Sequence, residues 1–268
     1  MRTLLLFAAL VLPIAPVAQP AVEDPLGDVL GAVVQPDGLV DYALLERAYA
    51  DRLKAALDAI ATTDASALSS DARKTAFVLN AYNAHVLQRV LDTGARDLER
   101  EGLFEAFFET PVRVAGQRMT LNQLEHGVLR RQNTVDGAAV PRGARALRPG
   151  RLDARIHAGL NCAAVSCPPL VREAFTATRV SGQLDRAWRA FLSSPRAARV
   201  RGDRVVLSSI FDWFADDFER GGTALGDVVL AGRSDATLRR ALRGKSAAAL
   251  RRADTVAFAY DWTVNRAR

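Results

Sequence analysis

Residues 156–170 read IHAGLNCAAVSCPPL and hold both cysteines of the chain and one of its three histidines. Three chemistries fit these residue types at this spacing. In the first, a thiol is a nucleophile. Cys167 stands directly before two prolines, residues that suit the first turn of a helix, and a thiol at a helix N-terminus is held towards the thiolate. His157 or His126 would serve as its base, with Asn161 or Glu125 as the orienting group, and Cys162 competes for the role of nucleophile. Backbone N–H groups after Cys167 would then act as oxyanion donors, giving a hydrolase or acyl transferase for an amide or thioester. In the second, Cys162 and Cys167 form a disulfide, which either staples a non-catalytic binding module or works as a dithiol redox pair. In the third, His126, His157, Cys162 and Cys167 supply two nitrogens and two sulfurs to zinc, although the histidines lack a zinc-finger spacing. Spacing alone leaves all three open, and no other cofactor is expected.

The elements that must position these groups carry polar residues on apolar faces. Residues 72–91 predict a helix ended by Thr93-Gly94. On a helical wheel Lys74, His85, Gln88 and Arg89 fall on one side, and Phe77, Ala84, Leu87, Val90 and Leu91 on the other. Asn80 and Asn83 sit within the apolar side as i, i+3 neighbours, where amides need partners. They either pin backbone or orient a ligand or catalytic group, whereas His85 reads as a surface histidine. In the helix over 121–130, opened by a Thr120–Gln123 capping box, the stripe Leu121, Leu124, Val128 and Leu129 encloses Glu125, with His126 at its edge. An inward carboxylate beside a histidine is an acid–base element, or else a salt bridge to one of the many arginines.

Elsewhere, 111–121 and 199–208 alternate around Gly-containing turns and predict β-hairpins, and 154–162 and 255–260 read as strands. Helices are expected near 45–60, 181–192 and 234–252, a helical turn or two over 209–218, and a loop over 131–151. Helices and hairpins mix without β-α-β alternation. That predicts an α+β fold, with helices packed on a small antiparallel or mixed sheet in a single domain spanning 22–268.

Met1-Arg2 and the apolar run behind them read as a signal peptide over residues 1–21, shorter than the roughly 20 apolar residues of a bilayer span. The expectation is an exported protein, periplasmic or secreted, with no stable membrane anchor once the leader is cleaved. The net charge of +6 comes mostly from scattered arginines with no aromatic-basic interleaving, so nucleic acid is not an expected partner. A small-molecule or peptide substrate is.

Five stretches carry a family resemblance: LNAYNA (79–84), TLNQLEHGVLR (120–130), DARIHAGLNCAAVSCPPL (153–170), IFDWFADDF (210–218) and YDWTVN (260–265). In order and content the chain resembles the domain of unknown function 547 family, as an exported bacterial member. The resemblance implies that Asn80, Tyr82, Asn83, Glu125, His126, His157, Asn161, Cys162 and Cys167 are family motif positions, with Asn80, Tyr82, Asn83 and Asn161 as ligand-binding candidates. The family's designation carries no activity, so the reaction is left to the residues.

Overall fold

The computed structural model of the protein describes residues 22–267, and the leader-like residues 1–21 lie outside them. Helices α1 (Glu23–Val33) and α2 (Ala50–Thr62) pack on each other. α1 buries Leu26, Val29, Leu30 and Val33, an i, i+3, i+4, i+7 stripe, and α2 answers with Leu53, Ala56, Ala59 and Ile60. Each large aliphatic buried in this way contributes about 1.5–3 kcal/mol relative to an exposed side chain.

Helix α3 (Asp71–Thr93) is the spine of the larger core. The Ser70 hydroxyl accepts the Arg73 N–H at its start, and Gly94 ends it at φ 64°. Every residue from Ala76 to Leu87 is buried, so the middle of this helix has no solvent face. The expectation of a surface His85 is therefore corrected. His85 is buried, with Nε2 3.4 Å from the Arg113 carbonyl oxygen of the hairpin that covers it.

Burial pushes the His85 imidazole down to about 4 from 6.5, with the Arg89 charge assisting against the Arg113 carbonyl. The unfolded chain thus takes up this proton first. Stability is full above pH 6.5 and falls as the pH drops towards 4, by roughly 3 kcal/mol from this group. His85→Gln is expected to flatten that part of the stability profile in urea unfolding between pH 7 and 4. An unchanged slope in the variant contradicts the assignment.

Strands β1 (Val112–Val114) and β2 (Gln117–Met119) form the expected hairpin around Ala115 and Gly116, both at positive φ. Helix α4 (Gln123–Leu129) opens on the expected capping box: Gln123 N–H donates to the Thr120 hydroxyl, and Thr120 N–H donates to Gln123 Oε1. It winds wider than an α-helix, with Arg130 N–H reaching the Glu125 carbonyl five residues back. The stretch expected as a loop contains a small hairpin, β3 (Thr134–Val135) with β4 (Ala138–Ala139).

The expected strand over 154–162 is corrected to a short helix, α5 (Ile156–Gly159), followed by extended and turn residues. Tertiary packing decides this. α5 is wedged against α6 (Val180–Ser193) so closely that a Cβ on Gly159 would lie 2.8 Å from Leu184, 3.2 Å from Leu79 and 3.3 Å from Phe175.

A second core gathers α6 with the mixed sheet and the C-terminal helices. Strands β5 (Ala198–Arg201) and β6 (Arg204–Ser208) are antiparallel, and β7 (Val256–Ala259) runs parallel to β6. Between them lie α7 (Ile210–Trp213), α8 (Ala215–Glu219), α9 (Leu225–Leu230), α10 (Ala236–Leu242) and α11 (Ala247–Arg251). The single helix expected near 234–252 is split at Gly244, whose φ of 68° no helix interior permits. The α+β architecture, helices on a small mixed sheet with hairpins, is as expected. Among the described residues no helix is long and apolar enough to cross a membrane.

Candidate functional site

The loop after α5 carries the cysteines, and asparagines hold it. Asn83 donates to the Gly159 carbonyl and accepts the Asn161 N–H, at 2.9 and 3.0 Å. Asn161 in turn donates to the Pro168 carbonyl at 2.9 Å and accepts from Ala163 N–H and Asn265. Asn80 brackets Phe175, accepting its N–H and donating to its carbonyl. Each buried amide is thus paired, which removes a desolvation penalty of about 1–3 kcal/mol per group. Asn80, Asn83 and Asn161 all bond to backbone, and none of the three lines the cavity described next.

That cavity, of about 360 Å³, opens where α3, α4, α5, α7 and the 260–262 segment meet. Cys162 and Cys167 form part of its wall and are joined as a disulfide, with Cα atoms 6.3 Å apart. Their surroundings differ. Cys162 is partly exposed, whereas Cys167 is 1% exposed. Cys167 Sγ accepts the Cys162 N–H at 3.0 Å. The Tyr260 hydroxyl lies 3.0 Å from Cys162 Sγ and 3.1 Å from Cys167 Sγ. Arg196 approaches from behind the loop and donates to the Cys167 carbonyl at 3.4 Å.

The opposite wall is a chain of charges. Helix α4 presents Glu125, His126 and Arg130 on one side, and all three line the cavity. His157, from α5, is almost fully buried, with Nε2 2.9 Å from Asp217 Oδ2 and Nδ1 3.9 Å from Glu125 Oε1. Arg130 Nε donates to the same Asp217 oxygen at 2.6 Å, and its Nη1 reaches His126 Nδ1 at 2.8 Å. Burial alone would raise the Asp217 carboxyl, but the hydrogen bonds and charges of His157 and Arg130 outweigh it and hold it down to about 2. Asp217 is therefore a fixed anion that orients the imidazole through Nε2. Phe214 stacks on His157, with centroids 4.0 Å apart, and carries the Arg130 guanidinium above its ring.

Glu125 has no arginine or lysine in ion-pair reach among the described residues. Its neighbours are the Tyr82 hydroxyl and His157. Burial drives both Tyr82 and Tyr260 far above the usual phenol range, and the Glu125 charge adds to this. Both stay protonated and available as donors.

Of the expected site residues, Tyr82, Glu125, His126, His157 and both cysteines share the cavity. The nucleophile arrangement is not assembled. The sulfurs are bonded to each other, and among the described residues neither histidine is hydrogen-bonded to either of them. Residues 168–171 are not helical, and Pro168 and Pro169 have no N–H to offer an oxyanion. The zinc arrangement is not assembled either. The sulfurs are committed to the disulfide, and no three His, Cys, Asp or Glu side chains among the described residues come together as a metal ion needs.

Sequence reasoning missed Asp217, Tyr260 and Arg130 as site residues. Asp217 had a signal. It lies three residues after Phe214 and one before Phe218, on the buried side of its turn, while Asp216 beside it is exposed.

Residues 66–192 match a family model described as "Protein of unknown function, DUF547". No curated protein and no solved structure matched the chain. The matched span holds Asn80, Asn83 and Asn161, Tyr82, Glu125, His126, His157 and both cysteines, whereas beyond it Tyr260 lines the cavity and Asp217 holds His157. Over residues 66–192, just under half of its length, the chain is similar to the DUF547 family.

Proposed function

We propose that the cavity carries out thiol–disulfide exchange, with Cys162 as the sulfur attacked and Cys167 as the sulfur that leaves. The observation that carries this reading is the unequal environment of the two sulfurs. Cys162 is the more exposed, and an incoming thiolate needs access to the sulfur it attacks. The departing sulfur takes the electron pair. Cys167 Sγ already accepts one N–H and sits beside a phenol that stays protonated, with a guanidinium on its own carbonyl. Donors and positive charge of this kind stabilise a thiolate and make it the better leaving group.

In the first step the substrate thiolate bonds to Cys162 Sγ as the Cys162–Cys167 bond breaks, leaving a mixed disulfide and the Cys167 thiolate. A second substrate thiol then displaces Cys162. The two substrate thiols become one disulfide, and the protein holds their two electrons and two protons. His157, oriented by Asp217, supplies the base that takes the proton of the incoming thiol. An oxidising, extracytoplasmic setting, the expectation from residues 1–21, belongs to the same proposal because it restores the disulfide.

A disulfide-stapled binding module is the second reading. It is favoured by the 1% exposure of Cys167 and by the Asn83–Asn161–Asn265 clamp on the same loop, to which the disulfide would add one more tie in a fixed cavity wall. A redox titration separates the two. After equilibration in glutathione buffers and alkylation, intact mass reads the fraction reduced. Exchange chemistry expects a midpoint above about −270 mV, and a midpoint below about −300 mV would identify a staple.

A further inference from the structure

We propose that the thiol substrate of this cavity is a cationic aminothiol, its ammonium received by Glu125 and an aromatic wall while its sulfur meets Cys162. The inference rests on the exchange reading and adds the substrate class. The first observation is charge. Glu125 faces the cavity with a phenol and a histidine as its nearest partners and no fixed cation. The nearby arginine is spent: Arg130 binds Asp217 and His126. The Glu125 charge is felt at Tyr260, whose hydroxyl touches both sulfurs, so it is felt where an incoming thiolate must arrive. An anionic thiol is repelled there, and a thiol carrying its own ammonium is drawn in.

The second observation is the wall beside the disulfide. Trp262 meets Tyr260 at 4.6 Å and Phe104 at 4.7 Å between ring centroids, and Trp213 meets Tyr260 at 4.8 Å. Trp213 is 47% exposed at the rim. Aromatic rings grouped next to a carboxylate accept alkylammonium groups through their electron-rich faces. A two-carbon aminothiol is small enough for a cavity of about 360 Å³.

The test measures how fast three matched thiols open Cys162–Cys167 in the purified protein at low salt, at equal thiolate concentration. The thiols are 2-aminoethanethiol, 2-mercaptoethanol and 3-mercaptopropionate. The cation is expected to react on the order of tenfold faster than the neutral thiol, and the anion slower by a similar factor. In Glu125→Gln the spread is expected to shrink towards unity. Tetramethylammonium should slow the aminothiol in the wild type and leave 3-mercaptopropionate unaffected, which decides the matter even where Glu125→Gln does not fold. Equal rates for all three thiols, a spread that survives Glu125→Gln, or no competition by tetramethylammonium overturns the aminothiol assignment and leaves exchange standing. Failure of all three thiols to open the disulfide overturns both.

Discussion

Asp217→Ala is expected to destabilise the protein by about 3–5 kcal/mol at neutral pH, because it strands two partners at once. Arg130 and His157 both bond to Oδ2 of this carboxylate, and the side chains of His157 and Asp217 are 2% and 3% exposed. With the carboxylate gone, a guanidinium and an imidazole nitrogen are left facing a void that neither can leave without unpacking from Phe214. Chemical denaturation of the wild type and the variant measures the loss, and a change under about 1 kcal/mol refutes this view of the cluster. The acid limb gives an independent check. The folded Asp217 carboxyl lies at about 2 against 3.8 for the free side chain, so its stabilisation is complete above pH 3.8 and fades as the pH falls through 2. That fading amounts to about 2 kcal/mol and should be absent from Asp217→Ala. It is smaller than the mutational loss because protonation leaves a neutral carboxyl in place, whereas alanine leaves nothing.

The same cluster shows what could be read from the sequence. Glu125 was legible because it interrupts the apolar stripe of its own helix, and a buried charge on a core face must have a purpose. Its partner was not, since the salt bridge expected from an arginine-rich chain goes to Asp217, 92 residues further on, and Glu125 receives phenol and imidazole neighbours instead. Periodicity recovered the hairpins, the capping box and the amphipathic α6, features set by residues close in sequence. It failed where tertiary packing overrides local pattern. The wheel of α3 assumes one wet face, but β1 covers His85, and the short α5 is shaped by α6. Tyr260 ends the strand-like stretch near 255–260, and nothing in its neighbours announces that its hydroxyl closes the distance to two sulfurs nearly a hundred positions earlier.

Cys167→Ala is expected to turn exchange into a trap. Cys162 then remains as a lone, partly exposed thiol in the cavity, able to form a mixed disulfide by attacking a small disulfide and expelling its thiolate, but lacking the sulfur that would release it. Cys162→Ala leaves only Cys167, 1% exposed, behind the loop. Labelling by iodoacetamide should therefore be on the order of a hundredfold faster in Cys167→Ala than in Cys162→Ala. Both variants lose the same cross-link, worth about 2 kcal/mol for so short a loop on the chain-entropy argument, so stability cannot account for a difference between them. Loop geometry cannot either, because Asn161 still ties the chain to the Pro168 carbonyl in both. Intact mass after incubation with excess oxidised 2-aminoethanethiol reads the trap directly, as one adduct on Cys167→Ala and none on Cys162→Ala. Adducts of equal yield would mean that the buried sulfur is as reachable as the exposed one, and the assignment of attacked and leaving sulfurs would fall. Absence of any adduct on either variant would remove exchange altogether and leave the disulfide as a staple beside a binding cavity.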